Sequence, residues 1–361
     1  MKIALVCDWL TGMRGGERCL EATCELYPDA DIFTLVHIPG SVSKTIESHR
    51  IITSYIQDLP GKIEKFRKYL PLFPHAIGRF DLSGYDYVLS FSHCVAKGVK
   101  VPKGIPHICY CFTPMRYAWH MRSEYISNFG YPKKCVAEIL LNYLKNWDRR
   151  ISFGVTHFIS ISENVRNRIK QAYNRDSVVI YPPVECSRFA ISEKDEGYYL
   201  IVSALVPYKR IDLAVAAFGG TGQKLVIVGN GPELPRLKSM ASANVSFIDS
   251  AADGDIVQYM RKCKALIFPG EEDFGIVPLE VQACGKPVIA FGRGGVLETV
   301  VPDETGIFFY TQTPKVLFEA VLSFEKTREK FAPRKSRDNA LRFDRSIYQQ
   351  SIQHYIQSAI D

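Results

Sequence analysis

Short, continuously apolar runs alternate with amphipathic stretches along the whole chain, and this alternation limits the possible folds more than any other feature. Six runs in the first half predict strands: Lys2–Asp8, Ile32–His37, Tyr87–Ser92, His107–Phe112, His157–Ile161 and Val178–Tyr181. Six more follow in the second half: Tyr198–Ala204, Lys224–Val228, Val245–Ile248, Ala265–Phe268, Pro287–Phe291 and Gly306–Tyr310. Strands that are apolar throughout and separated by helices predict parallel sheets covered on both faces. The sequence therefore predicts an α/β protein with two doubly wound, Rossmann-like domains.

The two series of strands break at Pro182 and Pro183, and a polar stretch follows at Ser192–Gly197. Two consecutive prolines cannot continue a helix or a central strand, and the polar stretch has little to bury. We therefore expect a first domain over residues 1–183 and a second over 184–343. Residues 344–361 predict one amphipathic helix. Its apolar positions fall near one face: Ile347, Ile352, Tyr355, Ile356 and Ala359.

The start of the chain predicts a buried strand and not a signal peptide, because Asp8 interrupts its short apolar run. No apolar run reaches the roughly 18–20 residues that span a bilayer. We expect a cytoplasmic protein, which could lie peripherally on the cytoplasmic face of the inner membrane. The 10 cysteines lie mostly in apolar segments without a CxxC pair. They predict buried thiols, such as Cys109 and Cys111, and no metal site.

The net charge of +7 is concentrated in residues 131–175, which hold nine basic and three acidic residues. A basic face favours a phosphate-bearing partner: a nucleotide, a pyrophosphate-linked lipid or an anionic membrane. A solvated helix surface explains the same charges equally well. The apolar, basic and Pro-rich segment Leu70–Leu82 is either a loop that touches lipid or a packed loop. Without a recognised nucleic-acid-binding motif, nucleic acid is not an expected partner.

The most informative motif runs from Pro269 to Phe291, after one predicted strand and through a predicted helix. Gly275 admits close approach of a ligand, and the amides of Gly275, Ile276 and Val277 open the helix, where phosphate is attracted. Glu272 and Glu280 can bracket one bound molecule and accept hydrogen bonds from hydroxyls at its two ends. A diphosphate between two sugars has that shape. The alternative is that both carboxylates only stabilise the start of the helix.

Lys209 and Arg210 lie in the loop after the first strand of the second half. Cations there could neutralise a leaving diphosphate, whereas a purely structural pair at a helix start would oppose the helix dipole. Gly229 and Gly231 follow the next strand and precede a helix. They are explained by a ligand or by turn geometry alone.

Three features of the first half follow strands. Gly15 and Gly16 lie in a glycine loop after the first strand that is not GxGxxG, which argues against a nicotinamide-dependent dehydrogenase. His93 follows a strand and is either structural or part of a site. Arg116 lies between aromatic residues and could hold a sugar or a phosphate.

With these motifs the chain resembles glycosyltransferase family four, the retaining sugar-nucleotide transferases of the GT-B fold. The paired-glutamate segment Glu272–Glu280 and the segment VPYKR, residues 206–210, carry the resemblance, which extends over the whole chain. The segments TPMRYAW, from residue 113, and YPPVECSRF, from residue 181, are similar to those of bacterial mannosyltransferases that build O-antigen and other surface polysaccharides.

The resemblance implies a role for most of these residues. Glu272 contacts donor-sugar hydroxyls, the amides of Phe274, Gly275, Ile276 and Val277 hold the diphosphate, Glu280 binds the ribose, and Lys209 stabilises the departing phosphate. It also implies that Gly16, Gly229 and Gly231 lie near the nucleotide and Gly15 near the acceptor. From their positions in the sequence, we add Arg210 to the donor residues and His93 and Arg116 to the acceptor residues. Many members have Arg where this chain has Ala204, and many have His where it has Phe112.

The implied reaction is a retaining transfer of a hexose, mannose from GDP-mannose, to a lipid-linked or oligosaccharide acceptor in surface polysaccharide biosynthesis. It needs neither a metal nor a further cofactor. Two alternatives stay open at this stage. One is a non-catalytic nucleotide-sugar-binding subunit of a polysaccharide assembly complex, and the other is a transferase that uses a UDP-sugar.

Overall fold

A computed structural model of the chain describes residues 2–61, 65–122, 126 and 130–360. The chain forms two compact units. The first unit comprises Met1–Pro183 together with Tyr348–Asp361, and the second unit comprises Val184–Ile347.

The first unit contains a sheet of seven parallel strands in the order β3-β2-β1-β4-β5-β6-β7. The strands are β1 Ile3–Cys7, β2 Asp31–Thr34, β3 Ile51–Thr53, β4 Tyr87–Ser92, β5 His107–Cys111, β6 His157–Ser160 and β7 Val178–Val179. The helices between them are α1 Gly15–Cys24, α2 Lys44–Glu47, α3 Phe73–Ile77, α4 Lys133–Ile151 and α5 Glu163–Tyr173. Because the strand order reverses between β1 and β4, the topological switch point lies at their carboxyl ends.

The second unit contains six parallel strands in the order β10-β9-β8-β11-β12-β13. They are β8 Tyr198–Val202, β9 Lys224–Val228, β10 Val245–Ile248, β11 Leu266–Phe268, β12 Val288–Phe291 and β13 Gly306–Phe309. The helices are α6 Ile211–Phe218, α7 Leu234–Met240, α8 Asp253–Lys262, α9 Ile276–Ala283, α10 Val296–Thr299, α11 Pro314–Thr327 and α12 Pro333–Leu341. Here the switch point lies between β8 and β11.

Each unit has its own apolar core beside its sheet. In the first unit, Val6 and Val88 of the sheet pack with Leu144 of α4. In the second, Ile201 and Ile267 pack with Phe324 of α11. The strands are mostly apolar and buried, and the candidate residues lie at strand ends, where the chain leaves the sheet.

The last helix, α13 Arg345–Ile360, packs into the first unit through Tyr348, Ile352 and Ile356. The Tyr348 hydroxyl lies 2.9 Å from the Thr23 hydroxyl of α1. Ile347, expected on the buried face of this helix, is instead exposed.

The two parallel sheets confirm the predicted fold class. Strand β3 and helices α4 and α12 have no counterpart among the predicted elements. The segment Leu70–Leu82 is packed, since Phe73, Ile77 and Leu82 are buried in the first unit's core. Among the described helices, none combines the length and the apolar character needed to cross a membrane.

Candidate active site

Two loops meet at the switch point of the second unit. One follows β8 and ends in a 3-10 turn at Pro207–Lys209, and the other follows β11 and leads to α9. Gly270 of the second loop lies directly against the first, because a β carbon on it would come within 2.9 Å of the Lys209 Cα. The backbone approach that brings the two loops together therefore requires glycine at this position.

The side chains of Lys209 and Glu272 form an ion pair across these two loops. Both are largely shielded from solvent, with 15% and 24% of their side chains exposed. The structure thus brings together the cation and the carboxylate that the sequence selected separately. A shielded pair of this kind offers a fixed positive charge and a hydrogen-bond acceptor at one place.

Helix α9 begins immediately after Gly275, which has φ of 102°. An L side chain is strained in this left-handed region, so glycine is needed for the turn into the helix. The first amides of the helix, those of Ile276 and Val277, have no carbonyl partner within it and can attract an anion. Phe274 is buried, with its ring 5.7 Å from that of Phe343. Glu280 is the fifth residue of α9 and is half-buried.

Arg210 lies beside Lys209 but is directed to other partners. Its backbone has φ of 54°, and its guanidinium donates to Gln312 Oε1 at 3.3 Å and to Asp212 Oδ1 at 3.4 Å. Gln312 in turn donates to the Pro269 carbonyl at 2.8 Å. Arg210 is therefore linked to the start of the β11 loop through Gln312 and not to Glu272.

Gly229 and Gly231 pack against the β8 loop. A β carbon on Gly229 would lie 1.9 Å from the Ser203 carbonyl oxygen, and one on Gly231 would lie 2.3 Å from that of Leu205. The φ of 144° at Gly229 also lies in the region that favours glycine. Close packing of backbone on backbone thus requires both glycines. Ala204, between the two contacted carbonyls, is exposed.

Gly294 and Gly295 are site residues that sequence reasoning missed. The Gly295 amide donates to the Glu272 carbonyl at 2.8 Å, and Glu272 pairs with Gly294 in a parallel bridge. A β carbon on Gly295 would lie 2.3 Å from the Asp273 carbonyl oxygen. The segment GRGG directly after the predicted strand Pro287–Phe291 was the available signal. These glycines fix the backbone that carries Glu272.

A buried polar network holds α9 in place, and it too was missed. The Gln282 amide donates to the Pro278 and Thr299 carbonyls at 3.1 and 2.8 Å. Asn339 of α12 donates to Gln282 Oε1 at 2.7 Å and to the Thr299 carbonyl at 2.9 Å. These amides are almost fully buried. They anchor α9 to α10 and α12 with buried hydrogen bonds.

The switch point of the first unit is organised by Asp8, which follows β1. Its carboxylate is buried and accepts four consecutive backbone N–H groups, those of His93, Cys94, Val95 and Ala96, at 2.6 to 3.0 Å. In the sequence, Asp8 is apparent only as an interruption of an apolar run. Here it holds the loop that follows β4.

His93 makes a second contact with Asp8, since its Nδ1 lies 3.0 Å from Asp8 Oδ2. The ring packs edge-on against Trp9, at 4.6 Å between centroids, and 41% of the side chain is exposed. Burial raises the pKa of Asp8, but His93 and the backbone donors outweigh burial, so the pKa lies below its usual value. The ionised carboxylate accepts a hydrogen bond from the Nδ1–H of His93, so the ring's Nε2 is left for other partners.

The remaining predicted residues of the first unit lie in two segments. Gly15 and Gly16 begin α1, and a β carbon on Gly16 would lie 3.3 Å from the Phe112 ring. Arg116 is half-buried in the turn after β5. Of the aromatic residues beside it, Tyr117 lies 2.7 Å from Cys94 Sγ and Trp119 donates to Asp148 Oδ2 at 2.8 Å.

Trp119 joins a buried ion pair that sequence reasoning did not find. Lys97 and Asp148 are fully buried, with 2.6 Å between Nζ and Oδ1. Tyr173 also donates to Asp148, at 2.6 Å. Burial alone would lower the pKa of Lys97, but Asp148 outweighs it and raises the pKa above its usual value. This network links α4 and α5 to the loop after β4, so Asp148 does not belong to the solvated charges of residues 131–175.

Residues 185–340, nearly all of the second unit, match the family model described as "Glycosyl transferases group 1". The O-antigen chain mannosyltransferase RfbU of Salmonella typhimurium is 26% identical over 176 residues, which are 45% of this chain and 49% of that protein. The GDP-mannose-dependent alpha-(1-6)-phosphatidylinositol monomannoside mannosyltransferase of Mycobacterium tuberculosis is 31% identical over 191 residues, 44% of this chain and 50% of that protein. The chain thus spans about half the length of these curated relatives.

Similarity to a solved structure extends over both units. The crystal structure of Anabaena Alr3699/HepE in complex with UDP and glucose superposes with a TM-score of 0.72 and 19% identity. The superposition covers 98% of this chain and 99% of that one, which establishes the fold. Residues 185–340 therefore belong to the glycosyl transferases group 1 family, in a chain that has the GT-B fold.

Proposed function

We propose that the protein is a retaining glycosyltransferase that moves a hexose from a nucleotide sugar to a lipid-linked or oligosaccharide acceptor. The ion pair of Lys209 with Glu272 beside the amides that open α9 is the observation that carries this proposal. A nucleotide sugar has a diphosphate that suits the amides and the cation, and a sugar whose hydroxyls suit the carboxylate.

In the proposed donor complex, the amides from Phe274 to Val277 hold the diphosphate and Glu280 accepts from the ribose hydroxyls. Glu272 accepts from the sugar. Lys209 turns from its carboxylate partner toward the leaving phosphate. Gly16, Gly229 and Gly231 line the nucleotide's surroundings, and Arg210 keeps the β11 loop in position. Gly15, His93 and Arg116 serve the acceptor, with Nε2 of His93 available to accept a hydroxyl proton in a hydrogen bond.

The proposed reaction keeps the donor's α configuration through attack on the face that the leaving group departs from. The acceptor oxygen forms a bond to C1 of the hexose, the bond from C1 to the phosphate oxygen breaks, and the acceptor proton passes to the leaving diphosphate. Lys209 and the helix amides stabilise the negative charge that develops on that diphosphate. No metal and no further cofactor takes part in this scheme.

Mannose from GDP-mannose is the donor we propose. Two relatives with partial coverage support it, one named as a mannosyltransferase and one named as GDP-mannose-dependent. Membership of O-antigen or other surface polysaccharide biosynthesis, at the cytoplasmic face of an anionic membrane, is part of the same proposal. The UDP and glucose in the Anabaena structure favour a UDP-sugar as the alternative donor.

The test is mannosyl transfer from GDP-mannose to a membrane extract or a lipid-linked acceptor by the full chain. We expect Lys209→Met and Glu272→Gln to lower kcat by about 100-fold or more, as removal of one charge-stabilising group does in other enzymes. Lys238→Met is the matched control, since Lys238 forms an exposed ion pair with Asp249 in the same unit. Turnover near that of the wild type in either site variant would refute the assignment of these residues.

A thermal-shift screen of GDP-, UDP- and ADP-sugars identifies the donor, because a ligand of the native state raises its stability. A shift with GDP-mannose alone supports the proposed donor, and a shift with a UDP-sugar alone replaces it.

The exposed Ala204, where many similar proteins have Arg, favours a second candidate, a non-catalytic nucleotide-sugar-binding subunit. That candidate predicts a thermal shift with neither transfer nor slow donor hydrolysis. Turnover unchanged by EDTA supports the metal-independent scheme.

A further inference from the structure

Helix α4 of the first unit presents apolar side chains to solvent. Its residues Val136, Ile139 and Tyr143 are 66%, 71% and 51% exposed. Tyr131, just before the helix, is 87% exposed, and Phe153, just after it, is 69% exposed. Large side chains grouped in this way differ from the scattered apolar residues that any surface carries, and they indicate an interaction surface.

The exposed positions form one stripe along the helix. At 100° per residue, Val136, Ile139, Tyr143 and Arg150 fall within an arc of about 60°. Buried residues such as Leu144 and Asp148 lie on another side, toward the core and the Lys97 ion pair. The 19 residues of α4 make a helix about 28 Å long. The stripe is therefore long and straight enough to lie along a flat surface.

Exposed cations accompany this stripe at both ends: Lys133 in the first turn, and Arg149 and Arg150 in the last. At 100° per residue, Arg150 lies in the stripe and Lys133 and Arg149 lie on its two flanks, about 90° and 110° from its centre, whereas Lys134 lies on the opposite side of the helix. The two arginines are explained by the helix dipole, which favours cations at a carboxyl end, but Lys133 opposes the dipole, so helix stability does not explain it. Lys133, Arg149 and Arg150, together with Val136, Ile139 and Tyr143, form what we call the α4 face. Its chemistry combines apolar side chains at the centre with positive charge at both ends.

We propose that the α4 face docks the protein on an anionic lipid bilayer. Helices that lie in the bilayer interface combine apolar side chains that enter the acyl boundary with Lys and Arg that attract anionic headgroups. Tyrosine is favoured at that depth, where its ring is apolar and its hydroxyl stays wet. The positive charge selects anionic lipid over a neutral surface. The inference extends the proposed function, in which the acceptor is held by a lipid, but it rests on the geometry of α4 alone.

Two other segments of the chain do not offer the same surface. The Pro-rich segment Leu70–Leu82 buries Phe73 and Ile77 in the core. In the rest of the basic region, Arg175 donates to three backbone carbonyls and Lys170 pairs with Asp176. Arg175 and Lys170 therefore have partners within the first unit, whereas the cations of the α4 face are exposed to solvent.

Co-sedimentation with vesicles tests the proposal. The full chain is mixed with vesicles of phosphatidylcholine containing about one third phosphatidylglycerol, or of phosphatidylcholine alone. We expect binding to the first and at least tenfold weaker binding to the second. The triple variant Val136→Ser, Ile139→Ser, Tyr143→Ser should bind the anionic vesicles at least tenfold more weakly. Removing one cation of the α4 face, as in Lys133→Gln, should weaken binding by about fivefold, and less at high salt.

The matched control is the double variant Leu297→Ser, Leu322→Ser, which removes comparably exposed apolar side chains, 51% and 44%, from the second unit. It should bind vesicles like the wild type. Equal binding to neutral and anionic vesicles, or undiminished binding by the triple variant, would overturn the proposal. So would a wild-type dimer that the triple variant converts to monomer, because the α4 face would then be a contact between copies.

Donor binding separates the two proposals. The triple variant should keep the wild-type thermal shift with nucleotide sugars, since α4 lies outside the second unit's donor site. If the protein prefers anionic vesicles and the triple variant does not bind them, but no nucleotide sugar binds, the proposed function fails and the docking surface stands. If nucleotide sugars bind and vesicles do not, the docking surface fails alone.

Discussion

The carboxylate of Asp8 holds His93 by two contacts at once, accepting its backbone N–H at 2.8 Å and lying 3.0 Å from its ring Nδ1. The same carboxylate accepts three further amides of the loop after β4. A buried acceptor with so many donors has no equivalent among neutral side chains.

Replacing Asp8 by Asn should therefore destabilise the first unit. The new amide group would place N–H donors opposite backbone N–H donors, and buried donors would lose their acceptor. We expect a loss of about 2–4 kcal/mol in the free energy of unfolding, measured by urea denaturation. Asp176→Asn, which removes an exposed partner of Lys170, should cost no more than about 1 kcal/mol. Equal losses of stability in the two variants would show that the four backbone hydrogen bonds to Asp8 do not stabilise the first unit more than an exposed ion pair does.

Gly295→Ala tests the packing that supports Glu272. Gly295 has φ of −68°, so alanine meets no backbone strain there, but its β carbon would come 2.3 Å from the Asp273 carbonyl oxygen. The loop that carries Glu272 must shift, and we expect donor affinity in a calorimetric titration to fall by about tenfold or more. Gly254→Ala, where nothing lies within 4 Å of the added carbon, should leave donor affinity unchanged. If Gly295→Ala binds the donor as tightly as the wild type, the position of the loop that carries Glu272 does not determine donor affinity.

Asn339→Ala should loosen the anchoring of α9. It leaves Gln282 Oε1 and the Thr299 carbonyl without the hydrogen bonds that Asn339 donates. Because both acceptors are buried, we expect a loss of about 2–3 kcal/mol of stability, read from urea unfolding. Asn167→Ala, at an exposed position of α5, should change stability by less than about 0.5 kcal/mol. Similar behaviour of the two variants would contradict the anchoring role.

His107 should make stability depend on pH. Burial lowers the pKa of His107 from 6.5 to about 4, and its Nε2 lies 2.8 Å from Ser90 Oγ. Between these two values the unfolded chain binds a proton that the folded chain does not, so stability falls as the pH falls. We expect His107 to account for a loss of about 2 kcal/mol between pH 7 and pH 5.

The comparison of His107→Gln with the wild type isolates this contribution. The variant should lose less stability on acidification over that range, by about the same 2 kcal/mol, in urea denaturation at each pH. The exposed His354→Gln is the control and should follow the wild type. If the free energy of unfolding of His107→Gln falls between pH 7 and pH 5 as much as that of the wild type, His107 is not the group responsible.

The sequence predicted the parts of the site that follow directly from chain direction. A buried parallel strand must end at the sheet edge, so Lys209 and Glu272 could be assigned to strand-end loops, and Gly275 to a helix start. It could not predict that the two loops touch, since the contact depends on which strands are neighbours. The role of Gly295 needs the same information, because its partner Asp273 belongs to a different strand-end loop.

Helix α4 was missed for a physical reason. Periodicity identifies a helix by apolar residues on its buried side, and α4 also carries Val136, Ile139 and Tyr143 on its exposed side. The apolar residues therefore cover both the exposed and the buried side of α4, so their pattern does not show which side faces the core. Asp148 makes the buried side harder to recognise, because a charged residue in a sequence is expected to face solvent. Its burial is understood only from the ion pair with Lys97, which is distant in the sequence.

Helix α13 gives the first unit a particular order of assembly. Its residues from Tyr348 onward cover α1, where Tyr348 contacts Thr23, although more than 300 residues separate the two in the chain. During synthesis the second unit can be completed while the first still lacks its last helix. Nascent first units thus expose the surface of α1 around Thr23 until translation has passed residue 348. Chaperones that bind exposed apolar surface would meet the chain there, and a late translational pause would prolong that exposure.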